Sequence, residues 1–125
     1  MSVKIRFGIF IFVCVLIFGV MLYSAEKQKI EALGVSQSDV IIFENQNTYD
    51  GANFKTTLSP GEIIKKLEAK IHSKQILKNE NLEIYYCFVE NVNKFVVENG
   101  KKINLQIAYN GSYCIVGFPL ILSGY

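Results

Sequence analysis

The chain contains no tryptophan, a single histidine, two prolines and, after Arg6, no arginine. One histidine excludes the usual His-rich zinc sites, and Cys87 and Cys114 lack Cys-x-x-Cys spacing. Without arginine the chain lacks the planar fork favoured for phosphate and guanine. Its charges also balance beyond the N-terminal apolar run: the 13 Lys and Arg less Lys4 and Arg6 leave 11 lysines, against 11 Asp plus Glu. A nucleic-acid binder carries a basic patch, so no nucleic-acid partner is expected. Gly-x-Ser-x-Gly, a phosphate-binding glycine loop and His-Glu-x-x-His are all missing. His72 falls on or just past a helix, and Glu83 and Glu90 have no evident acid–base partner. The expectation is a protein that is not an enzyme, with no cofactor and no metal.

What is present begins with a basic start, Lys4 and Arg6, and an uninterrupted apolar run from Phe7 to Tyr23. Seventeen helical residues span about 26 Å, close to a bilayer's hydrocarbon core. Cleavage after Ala25 or Ser24 would put Tyr23 or Leu22 at the −3 position, which wants a small residue. Residues 1–24 are therefore expected to be a retained transmembrane signal-anchor, the alternative being secretion after cleavage of a signal peptide. The positive-inside rule then sends the C-terminal domain out of the cytoplasm. Residues 25–36 read as a juxtamembrane helix or linker and 37–125 as the folded domain. Half of all residues are hydrophobic, with nine Phe and seven Tyr, so the segment beyond the run is no disordered tail.

Within the domain, Ile103–Phe118 alternates on both sides of Asn110-Gly111, a dipeptide suited to a two-residue type I′ hairpin. Ile103, Leu105, Ile107, Cys114, Val116 and Phe118 then share one apolar face, and Asn104, Gln106, Ala108, Tyr113 and Ile115 the other. Val40–Glu44 and Asn53–Thr57 read as two strands joined through a polar loop. Ser59-Pro60-Gly61-Glu62 is a capping box with proline at the first helical position, and Ile63, Ile64, Leu67 and Ile71 carry the helix stripe onward. Leu82–Glu90 alternates with Leu82, Ile84, Tyr86 and Phe88 assigned to the core and Glu83, Tyr85, Cys87 and Val89 opposite. Val92–Glu98 is read as a short helix or an irregular crossing. Pro119 breaks the last strand, leaving Leu120–Leu122 along the sheet margin. The order predicts an α+β two-layer sandwich, an antiparallel sheet with one main helix on one face.

Lys102–Ala108, with Val116-Gly117-Phe118-Pro119 and the final tyrosine, resembles the end of the YwmB family, exported proteins of Gram-positive bacteria described as TATA-box-binding-like. Val40–Phe43, the helix from Pro60 and the strand from Leu82 follow the same order. The resemblance implies one half of a TATA-binding-protein-like fold behind an anchor, since typical members are longer and hold two related halves. It implies no reaction and carries over no functional residue.

The face away from the helix would hold Tyr85, Val89, Asn104, Gln106, Ala108, Tyr113 and Ile115. This tyrosine-bearing, cation-free surface is the candidate interaction face. The expected function is a membrane-anchored, extracytoplasmic binding module of the cell envelope, its partner a second copy or another envelope protein. The alternative is a small envelope enzyme or ligand carrier with a pocket between helix and sheet. Cys87 and Cys114, assigned to opposite faces, are expected to stay free thiols.

Overall fold

The computed structural model describes residues 25–125. It is an α+β fold in which two helices cover one face of a six-stranded antiparallel sheet. Residues 25–32 form α1. The strands are β1 (Ile41–Asn45), β2 (Thr48–Thr56), β3 (Lys70–Leu77), β4 (Leu82–Phe88), β7 (Leu105–Tyr109) and β8 (Cys114–Phe118), with α2 (Pro60–Leu67) between β2 and β3. Their spatial order is β1-β2-β8-β7-β4-β3. A separate two-stranded hairpin, β5 (Val96–Glu98) and β6 (Lys101–Ile103), projects between β4 and β7.

The capping box forms as expected. The Ser59 hydroxyl accepts from the Glu62 backbone N–H at 3.2 Å, and the Glu62 carboxylate accepts from the Ser59 N–H at 3.4 Å. The helix is shorter than its apolar stripe implied. Glu68 turns left-handed at φ 52°, and the next residues leave as β3 instead of extending the helix to Ile71. Ile71 therefore belongs to a strand that alternation did not reveal, with His72 at a bulge in it. Residues 25–36 are no mere linker: Ile30 and Leu33 join Ile63 and Leu67 in the main core, at 6 % exposure or less.

In the central hairpin the parity is as expected, while the loop is not. Tyr109 pairs with Cys114 and Ile107 with Val116, so four residues, Asn110–Tyr113, make the turn. The Asn110 side-chain oxygen accepts from the Ser112 and Tyr113 N–H groups at 2.9 and 3.1 Å. That side-chain turn replaces the tight two-residue loop. The slip is an even number of residues, so Leu105, Ile107, Cys114, Val116 and Phe118 keep their common face and all lie in the core under the helices. The polar loop between β1 and β2 contracts to Gln46 and Asn47, both at positive φ, and β2 begins at Thr48.

The predicted transmembrane segment, residues 1–24, lies outside the described residues. No helix among the described residues is long and apolar enough to cross a membrane.

Candidate functional site

The helix-free face is built differently from the expected one, and the parity of β4 is the reason. Tyr85 pairs with Ile107 and Cys87 with Leu105, so both point toward the helices, as does Glu83 opposite Tyr109. Leu82, Ile84, Tyr86 and Phe88 take the other face. The one charged residue of β4, Glu83, lies at its end on the side that faces the helices, so alternation assigned the two faces the wrong way round. Leu82, Ile84 and Ala108 form a second small core there, packed with Leu77, Tyr86 and Ile121.

Ile121 belongs to the C-terminal tail, which crosses the sheet instead of following its margin. Two buried amides hold it. The Asn53 side chain donates to the Leu120 carbonyl at 2.9 Å and accepts from the Leu122 and Ser123 N–H groups at 2.6 and 2.9 Å. The Gln106 side chain accepts from the Ile121 N–H at 2.7 Å and donates to the Tyr125 hydroxyl at 3.0 Å. Gly117 lies directly beneath, where a Cβ would collide with the Leu120 carbonyl and the Ile121 nitrogen. Asn53 and Gln106 thus satisfy a strap of backbone that would otherwise lie unpaired against the sheet.

The seven expected face residues therefore separate. Tyr85 turns to the helix side, its hydroxyl on Glu83 at 3.0 Å and Lys74 above its ring. Val89, just past β4, is fully buried in the main core. Asn104 is an interior clamp: its side chain accepts from the Val89 N–H at 2.8 Å and donates to the Val89 and Val92 carbonyls at 2.7 and 3.1 Å. Gln106 and Ala108 are on the expected face and buried on it. Tyr113 and Ile115 alone stay half-open there. Replacing Asn104 with alanine strands those three backbone groups in the interior. The urea midpoint of the full chain should fall by the equivalent of about 2 kcal/mol.

Around Tyr113 and Ile115 lies a groove of about 440 Å³, walled by Ile41, Asn53, Lys55 and the tail residues Ser123–Tyr125. The Lys55 ammonium stands 4.4 Å from the centre of the Tyr113 ring, a cation–π contact that keeps the lysine at the groove's edge. Asp39, Lys55 and Tyr113 also border a neighbouring depression of about 560 Å³ against Leu33–Ser36 and Thr56–Leu58. Lys55 sits on β2, outside the strands whose alternation defined the expected face, and the tail wall has no strand periodicity. No sequence signal short of the β2–β8 pairing could have brought Lys55, Tyr113 and the tail together.

Cys87 and Cys114 share one face, contrary to expectation, yet both are free. Cys87 lies on β4 opposite Leu105 and Cys114 on β8 opposite Tyr109, so β7 separates them and they are four residues out of step. Spacings of ~4.8 Å between strands and ~3.3 Å along them put the pair far beyond disulfide reach. Burial pushes both thiols up to about 12, which leaves them unreactive in the folded chain. Among the described residues no three His, Cys, Asp or Glu side chains gather as a metal site. The layer between helices and sheet is filled by Ile30, Ile63, Leu67, Ile107, Val116 and Phe118, none above 2 % exposure.

No family model, curated protein or solved structure matches the chain.

Proposed function

We propose that the protein is a non-catalytic binding module, tethered to the membrane by residues 1–24 and displayed outside the cytoplasm. Its contact site is the groove between the C-terminal tail and β1. The observation that carries this reading is the groove's make-up: apolar Ile41 and Ile115, the Tyr113 and Tyr125 rings, one lysine held in place and one carboxylate, Asp39. That combination suits an extended segment of another envelope protein, with an apolar side chain in the groove and a carboxylate or carbonyl on Lys55. The likeness to the YwmB family belongs to the proposal and is not a support for it. The close filling around Ile30, Ile63, Leu67, Ile107, Val116 and Phe118 supports the groove over a pocket at those residues.

Photo-crosslinking from position 113 of the full chain in its native membrane tests the assignment. A discrete adduct is expected, lost on Lys55→Glu and unaffected by Gln75→Glu on the distant edge strand β3. A chain that gives no adduct from positions 113, 115 and 41 does not use this groove.

A further inference from the structure

The β5–β6 hairpin is the least integrated part of the fold, and it exposes apolar side chains. Val97 is 63 % and Phe95 43 % exposed. Val97 pairs with Lys102, so those two share a face, and the Lys102 ammonium lies 4.7 Å from the centre of the Phe95 ring. Phe95, two residues before Val97, completes the same face. The opposite side, with Ile103 at 2 % exposure, is turned inward. The segment Lys94–Lys102 holds three lysines and one glutamate, a net +2 in a domain whose charges otherwise sum to no excess of cations. Exposed phenylalanine and valine beneath a lysine that extends past them is the composition of a surface seated at a lipid interface.

Position supplies the second argument. α1 runs along the sheet, and its C-terminal end, Leu33 to Ser36, borders Thr56–Leu58 and Tyr113 at the end of the sheet where the β7–β8 turn lies. Its opposite end carries Glu26, which feels the charge of Lys94 at the root of the hairpin. The end of α1 reached directly from the apolar run is therefore the end from which β5–β6 projects.

We propose that the outer face of the β5–β6 hairpin, with Phe95 and Val97 as its apolar contacts and Lys102 as its cation, rests on an anionic lipid bilayer. The proposal relies on the reading of residues 1–24 as the membrane tether. It orients the domain with β5–β6 at the membrane and the Tyr113 groove at the far end, presented to the envelope. The phenylalanine and valine enter the acyl boundary, and Lys102 meets lipid phosphate, raising affinity for an anionic surface about fivefold.

The absence of tryptophan makes the test direct. Full-length chains carrying Phe95→Trp, or Val97→Trp as an independent reporter, are reconstituted into vesicles of phosphatidylcholine and phosphatidylglycerol with brominated acyl chains. Ser112→Trp, at the far turn, is the reference. The indoles at positions 95 and 97 should emit to the blue of the one at position 112. Brominated lipid should quench them about twofold or more and leave the reference unaffected. Lys102→Glu should reduce that quenching in anionic vesicles. A chain that floats with the vesicles after an alkaline wash, yet shows both hairpin reporters no more quenched than the reference, overturns the hairpin proposal and leaves the tether standing. A chain that does not float overturns the tether, and the orientation with it. Quenching that is equal in pure phosphatidylcholine overturns the role given to Lys102.

Discussion

Glu26→Gln should stabilise the protein, and the gain should grow with pH. Glu26 is fully buried on the side of α1 that carries Ile30 and Leu33 into the core. Neither of its carboxylate oxygens has a hydrogen-bond partner among the described residues. Burial pushes its carboxyl up to about 8, against a partial downward pull from Lys94. The folded chain thus binds this proton more tightly than the unfolded chain, whose carboxyl titrates near 4.5. The stabilising contribution is complete below about pH 4.5, shrinks as pH rises from there, and is gone above about pH 8. Glutamine has nearly the same shape and never ionises. Urea midpoints of the full chain in detergent should differ little between wild type and Glu26→Gln at about pH 4. By about pH 8.5 the variant should lead by roughly 2–4 kcal/mol. An advantage of the same size at both pH values would mean that the carboxyl does not carry its proton when folded.

Gly117→Val should be the most damaging single substitution on the helix-free face. A Cβ at this position meets backbone, the Leu120 carbonyl and the Ile121 nitrogen, and not the mobile end of a side chain. Either β8 distorts or the tail lifts. If the tail lifts, Asn53 and Gln106 lose the four backbone partners they hold, and Ile121 leaves the small core around Ile84 and Ala108. The expected cost is about 3 kcal/mol or more. It should appear as a lowered urea midpoint and as faster amide exchange at Ile121, Leu122 and Ser123. Because Ser123–Tyr125 wall the Tyr113 groove, crosslinking from position 113 should weaken as well. Wild-type protection at those three amides would show that the tail does not pass over Gly117.

Local chemistry written in consecutive residues was legible without coordinates. Ser59 to Glu62 specify a helix start because the cap, the proline and the returning carboxylate act within one turn. The core face of Ile103–Phe118 was readable because polar Asn104 and Gln106 alternate with Leu105 and Ile107, and an even slip in the loop cannot exchange the faces. β4 was not readable in the same way. Glu83 falls in one set with Tyr85, Cys87 and Val89, yet that set goes under the helices, because pairing with β7 and not the strand's polarity decides the face. The boundary between α2 and β3 was hidden for a related reason: Ile71 falls on the helical stripe, although the helix has already ended at Glu68, a residue with no left-handed signature.

By itself, then, the sequence determined an antiparallel sheet backed by a capped helix and a neutral domain behind an apolar run. Tertiary structure decided which face is open. Asn53 and Gln106 look like ordinary polar strand residues until the tail crosses them, and Tyr113 becomes part of a groove only when β2 brings Lys55 alongside β8. Alternation acts over two residues, whereas the Asn53 contacts to the tail close a loop of nearly seventy. Periodicity carries no information at that separation, so packing settles what pattern leaves open.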